Sequence, residues 1–304
     1  MEKLSPKRDT IVTIGVFDGV HKGHQSLIQT LKKLAAERNL LSVAMTFEIH
    51  PEEVIGSANL VPWLTHMDER VRLLRSLGVD LVTVMPFDRE VAKLDARQFM
   101  GLLTKYLHMK GLVVGPDFAL GKGRQGDAAA LVTLGKEMGF TVASVPPLDL
   151  DGRVVSSTAV RQAVARGDAR EYFKLVGRYY TICGEVIKGA ERGRTLGFPT
   201  ANLAIDPHRA VPADGVYVTW AHFDSTRHPS VTNIGRRPTF DNGERLAEVH
   251  VLDHQGDLYG KEMTVELVER LRDELRFNSV QELQERMKQD VEQSRSVLKA
   301  EEAK

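Results

Sequence analysis

The sequence is poor in several things, and each absence narrows the reading. It holds one cysteine, Cys183, in 304 residues. No disulfide can form within the chain, which suits a reducing, cytoplasmic compartment. No run of about 18 apolar residues occurs, so no transmembrane helix and no membrane partner are expected. The polar stretch Met1–Thr10 lacks the apolar centre of a signal peptide. An excess of one charge is missing too: 41 basic residues balance 41 acidic ones. A large basic face for nucleic acid is therefore not expected. Only Arg153–Arg194 is locally basic, with nine Lys/Arg against four Asp/Glu. That stretch is either solvated surface or faces phosphate. Self-association is compatible with this composition and is not specified by it.

What is present is ordinary globular usage, 42% hydrophobic and 27% charged, over a length that suggests two domains. The first half alternates strand and helix signals. Strands are expected at Ile11–Val16, Leu41–Phe47, Leu81–Met85, Leu112–Val114 and Thr141–Val145. Between them, Lys22–Arg38 repeats Leu27, Ile28, Leu31, Leu34 and Ala35 on one helical face. Further helices are expected at Glu69–Leu77, Ala96–Leu107 and Ala128–Met138, the last capped by Asp127 and stopped by Gly139. Val160–Ala165 reads as one more. This alternation predicts a doubly wound parallel sheet, whose ligands sit beyond the carboxyl ends of the strands.

After about residue 180 the rhythm changes. Strands Tyr180–Val186, Gly215–Ala221, Ala247–Leu252 and Met263–Val268 follow with no long helix between them, as in a small antiparallel barrel. A C-terminal helix Val280–Leu298 carries Val280, Leu283, Met287 and Val291 on one stripe, behind a Ser279/Glu282 capping box. The expected domains are 1–166 and 181–304, with 167–180 as linker.

The sharpest motif is His21-Lys22-Gly23-His24, directly after the first strand and opening the first helix. Chance predicts about 0.03 HxGH matches in a chain of this composition. The first βα turn of such a sheet holds phosphates, because helix N–H groups and the dipole point there. Two imidazoles add donors, and Gly23 lets backbone approach. Gly121-Lys122-Gly123-Arg124-Gln125-Gly126 also matches a dinucleotide GxGxxG fingerprint, but chance predicts about 0.17 such matches. It follows a late strand, so it reads as a mobile loop whose Lys122 and Arg124 can reach phosphate. Ser156-Ser157-Thr158 can cap a helix and bond phosphate oxygens. Arg161, one turn on, adds a positive fork. In the second half, Gly193-Arg194-Thr195-Leu196-Gly197 precedes Thr200 and Asn202, two oxygen ligands for Mg²⁺. Glu248 on a strand could act as a general base.

These pieces resemble one family. Phe17 to His24, Phe47 to Pro51, Val114 to Phe118 and Ser156 to Arg161 come in order. Then come Gly197-Phe198-Pro199-Thr200-Ala201-Asn202, Asn233-Ile234-Gly235-Arg236-Arg237-Pro238-Thr239-Phe240 and Leu258-Tyr259-Gly260. The chain resembles the bacterial bifunctional riboflavin kinase/FAD synthetases over nearly its whole length.

The resemblance implies that riboflavin is phosphorylated by ATP to FMN, and that FMN is then joined to AMP, giving FAD and pyrophosphate. In the adenylyltransferase it implies that His21, His24, Ser157 and Arg161 handle phosphates. Gly15, Phe17, Asp18, Gly23 and Asp117 would lie in the ATP site. In the kinase it implies Mg²⁺ and phosphates on Thr200 and Asn202, Glu248 as base, and a loop with Gly193, Arg194, Gly197 and Pro199 over ATP. Asn233, Arg272 and Glu274 would lie on the flavin side, Arg272 in a flexible loop.

Two departures occur, Ile49 where the family has proline and Leu120 where it has an aromatic ring. A kinase whose first domain has lost its synthetase activity, or a flavin-binding regulator without turnover, stay as alternatives.

Overall fold

The computed structural model describes residues 6–56, 61–189, 193, 196–236 and 245–303. They form two compact units, residues 1–159 and 160–304.

In the first unit, β1 (Thr10–Ile14), β2 (Leu41–Phe47), β3 (Leu81–Met85), β4 (Met109–Val114) and β5 (Thr141–Ser144) form a parallel sheet in the order β3-β2-β1-β4-β5. β1 is buried at every position, as a strand covered by helices on both faces must be. One face packs Val12, Met45, Leu112 and Val114 against Phe99, Met100 and Leu103 of helix Ala96–Tyr106. The other packs Ile11, Ala44 and Val113 against Leu27, Ile28, Leu31 and Ala35 of helix α1 (Lys22–Glu37). The direction of winding reverses between β1 and β4. The carboxyl ends of those strands are therefore the expected binding crevice.

The expected strands and long helices are present, with ends shifted by a few residues. Short helices at Pro51–Ile55 and Arg89–Lys93 add to them. The GxGxxG stretch departs from a dinucleotide turn. Leu120 pairs with Gly126 in a small antiparallel hairpin, with a 3-10 turn at Lys122–Arg124 between them. The stretch 167–180, expected as linker, contains helix Ala169–Val176. Asp168 caps it, and Ala169, Tyr172, Leu175 and Val176 are buried.

The second unit is a closed barrel. Its strands are β6 (Tyr180–Ile187), β7 (Ala201–Ala204), β8 (Gly215–Phe223), β9 (Thr226–Arg236), β10 (Arg245–Val251) and β11 (Glu262–Arg272). They pair in the order β6-β7-β10-β9-β8-β11, which closes on β6. Closure leaves no open sheet edge. Asp224 and Ser225 both adopt left-handed backbone and join β8 to β9. That two-residue loop has the twist hairpins prefer. The C-terminal helix Val280–Glu302 starts at Ser279, whose hydroxyl accepts from Glu282 N at 3.1 Å. The expected reciprocal bond goes elsewhere: Glu282 accepts from Asn278 N. Leu298 packs on Val218, Trp220 and Val268.

Candidate functional site

In the first unit the chain leaves β1 through Gly15 and Phe17, the latter in left-handed conformation and buried. Asp18 follows and is almost wholly buried. Its carboxylate accepts from Leu64 N at 2.9 and 3.0 Å, Thr65 N at 3.0 Å and the Thr65 hydroxyl at 3.1 Å. Thr65 Oγ1 also accepts from Gly19 N. The Asp18 turn is thus pinned by residues 46 and 47 positions away. Nothing in the sequence pointed to Leu64 and Thr65 as supports of the HxGH turn.

His21 caps α1, its Nδ1 accepting from His24 N at 3.3 Å. That bond leaves Nε2 to carry the proton of the neutral ring, as a donor. The two imidazoles stack with centroids 3.6 Å apart, and the Phe17 ring meets His24 edge-on. A Cβ at Gly23 would lie 3.1 Å from the His21 ring and 3.2 Å from Val155 O, so only glycine fits without displacement. Ser157 Oγ donates to Asp18 O at 3.1 Å, and Ser156 Oγ accepts from Ala159 N, capping the helix Ser157–Arg166. The expected Ser156–Ser157 stretch and HxGH turn are therefore in contact. Thr158 is exposed. Arg161 stands four residues after Ser157 on that helix, past the division between the units.

Asp117, Lys122 and Arg124 are exposed. Arg124 donates to Asp117 O at 3.0 Å, which ties its side chain back to the end of β4. Leu120 packs against the sheet core, whereas Ile49 is exposed. His50 caps the helix Pro51–Ile55 through Nδ1 and lies 5.5 Å from the Trp63 ring.

In the second unit, three strands bring Asn202, Glu248 and Asn233 into one row. Asn202 pairs with Glu248 across β7–β10, and Asn233 pairs with Glu248 across β9–β10. Two cavities lie near this row, and Asn202 lines neither of them. One, about 540 Å³, is lined by Val186, Pro199, Val251, His254, Leu258 and Tyr259 among others. The other, about 380 Å³, is lined by Glu248, Asn233, Arg272 and Glu274 and by apolar Val231, Phe277, Leu283, Met287 and Val291. Among the described residues, Thr200 alone lines both. The helical stripe Leu283, Met287 and Val291 thus walls a cavity, while Val280 is exposed.

His250 Nδ1 lies 2.8 Å from Pro199 O and holds the chain just before Thr200. Burial pushes the His250 pKa down from its ordinary 6.5. Asn233 donates to Glu274 at 3.2 Å. Arg272 is not in a loop but ends β11, gripped by Asp290 at 2.7 and 3.0 Å. The cause is the burial of Asp290, which needs cationic partners and also takes Arg286 at 3.1 Å. Gly193 and Gly197 flank the approach to Thr200, whereas Arg194 lies outside the described residues, as do residues 237–240 of the Asn233–Phe240 segment.

The donor set suits Mg²⁺. A Cβ at Gly193 would collide with Phe198 O and lie 3.3 Å from Thr200 Oγ1, so only glycine lets the chain pass beside that hydroxyl. No group of three or more His, Cys, Asp or Glu that could hold a metal occurs among the described residues. Neutral oxygens of Thr200 and Asn202, completed by nucleotide phosphates, are the kind of shell Mg²⁺ takes.

The sequence matches the family described as FAD synthetase over residues 3–159 and the family described as riboflavin kinase over residues 176–298. The chain belongs to the bifunctional riboflavin kinase/FMN adenylyltransferase family. The Escherichia coli K12 member is 41% identical over 288 residues, covering 94% of this chain and 92% of the relative. The Pseudomonas fluorescens member is 37% identical, covering 98% and 96%. A crystal structure described as a macrolide-efflux protein from Streptococcus pneumoniae is 34% identical with a TM-score of 0.89, covering 97% and 96%. No helix among the described residues is long and apolar enough to cross a membrane.

Proposed function

We propose that the barrel unit transfers the γ-phosphoryl group of ATP to the 5′-hydroxyl of riboflavin across Thr200. The observation that carries this reading is that Thr200, alone among the described residues, lines both cavities, with Glu248 on the apolar side. ATP occupies the larger cavity, and the flavin ring lies against Leu283, Met287 and Val291. Glu248 takes the hydroxyl proton as the oxygen bonds to the γ-phosphorus and ADP leaves. Thr200 and Asn202 would hold Mg²⁺, which when bound offsets the phosphate charge. Asn233, Glu274 and Arg272 orient the flavin end of the cavity, and Gly193, Arg194, Gly197 and Pro199 border the nucleotide.

The first unit joins FMN to AMP. An FMN phosphate oxygen attacks the α-phosphorus of ATP, and pyrophosphate leaves. No covalent enzyme intermediate is needed, so positioning and charge stabilisation do the catalysis. His21 Nε2–H, His24 and the α1 N-terminus offer donors to the developing charge. Ser156 and Ser157 extend that donor set, and Lys122 and Arg124 stand by for outer phosphates. ATP as co-substrate of both steps suits the cytoplasm. The two activities would be divided between residues 1–166, for FAD synthesis, and residues 181–304, for the kinase.

The deciding experiment supplies the protein with riboflavin, ATP and Mg²⁺, then with FMN in place of riboflavin, and separates the flavins by chromatography. FAD from both starting points is expected. FMN without FAD would leave a kinase alone, and neither product would refute the reading.

A further inference from the structure

The HxGH turn and its serines account for phosphates, but nothing assigned so far receives the flat ring of the acceptor in the first unit. The flank of β1 towards β4 and β5 is the phosphate side. There the chain returns after β5 to bring Val155 and Ser157 against the HxGH turn. The acceptor ring is therefore sought on the other flank, beyond β2.

At the carboxyl end of β2 one aromatic side chain is built into position. Trp63 is half-buried, and the Arg70 guanidinium lies over its ring at 4.2 Å from the centroid. Arg70 is 1% exposed. It is held by Phe47 O at 3.2 Å and Thr65 O at 3.4 Å. A buried cation so fixed does not follow a loose ring; it sets the plane of the indole. The next two residues, Leu64 and Thr65, are the ones bonded to Asp18. Trp63 is thus rigidly tied to the turn that carries His21 and His24. Beside it stand His50, 5.5 Å away, and the end of β2 bearing exposed Ile49. An exposed isoleucine and a half-open indole make an apolar rim at a site whose other parts are polar.

We infer that Trp63 is the stacking platform for the isoalloxazine ring of FMN during adenylyl transfer, with Arg70 as its positioning residue. This rests on the adenylyltransferase reading of the first unit. An electron-rich indole favours an electron-poor flavin, as aromatic side chains stack flat heteroaromatic rings.

The test uses the full-length chain. The sequence has two tryptophans; Trp220→Phe leaves Trp63 as sole reporter. Titration with FMN should quench its fluorescence with a midpoint equal to the KM for FMN. Trp63→Leu should raise the KM for FMN about tenfold, or about 1.4 kcal/mol. The KM for ATP, the kcat for adenylyl transfer and the riboflavin kinase activity should hold. Trp63→Phe should restore most of the affinity. An unchanged KM for FMN in Trp63→Leu, or a rise in the KM for ATP instead, would overturn the inference. If Trp63→Leu fails to fold, the quenching midpoint and Trp63→Phe decide. If the wild type makes no FAD from FMN, the reading of the first unit falls, and absence of quenching by FMN would then sink this inference separately.

Discussion

Asn202 and Glu248 stand opposite each other on paired strands, and Asn233 stands opposite Glu248 on its other side. Glu248 lines a cavity that has Thr200 in common with its neighbour. As the base of the proposed phosphoryl transfer, Glu248 would contribute about 100- to 10,000-fold. Glu248→Gln keeps size and hydrogen bonding but cannot take the proton. Its FMN formation from riboflavin should fall within that range. FAD formation from supplied FMN should be unchanged, because Glu248 belongs to the second unit. Chromatographic flavin assays from both substrates check this, and equal loss of both activities would refute the division of labour.

His24 gives the converse test. Its ring stacks on His21 beside the α1 N-terminus. Removing one preorganised donor to developing phosphate charge typically costs about 100- to 1,000-fold in kcat. His24→Ala should lose that much FAD synthesis and keep its riboflavin kinase activity. His21 is a poorer choice, because its Nδ1 also caps the helix.

Periodicity and caps made much of this legible. Asp127 and Gly139 bracket helix Ala128–Met138 as expected, because both signals are local. β9 was not legible. Pro229 breaks its pattern, and its turn is Asp224-Ser225 rather than a glycine pair. Helix Ala169–Val176 was missed although Asp168 and Glu171 supply an N-terminal signal. Its two turns are too short for a period to stand out. The HxGH turn and the Thr200–Asn202 stretch were visible as motifs. Their supports were not: Asp18 is satisfied from 46 residues away and Arg272 from 18. Contacts made by tertiary folding leave no local trace.

Asp18 tests one such support. Asp18→Ala would strand the Leu64 and Thr65 amides in a buried place. Each unsatisfied donor costs about 1–3 kcal/mol. The first unit should lose about 3 kcal/mol or more, a fall in Tm of about 6 °C or more for a domain of this size. FAD synthesis should fall with it, since the HxGH turn loses its anchor. Asp18→Asn keeps one acceptor oxygen and should lie between. Calorimetry of the full chain reads both, and an unchanged Tm would refute the anchoring role.

His250 provides the pH dependence. Burial holds its pKa below the ordinary 6.5, with only the Pro199 carbonyl and Asp253 acting the other way. The unfolded chain therefore takes up this proton before the folded one does. Where the unfolded state binds more protons, stability rises with pH. The contribution is complete above about pH 6.5 and is lost as pH falls below it towards the folded pKa. Protonation would also place a cation at the wall of the cavity proposed for the flavin and disturb the Pro199 carbonyl that precedes Thr200. Kinase activity and the Tm of the second unit should then fall together on acidification. His250→Asn should flatten the stability profile below pH 6.5, with some loss of stability at neutral pH. If the wild type and His250→Asn show the same slope of Tm against pH, the neutral buried imidazole is not its source.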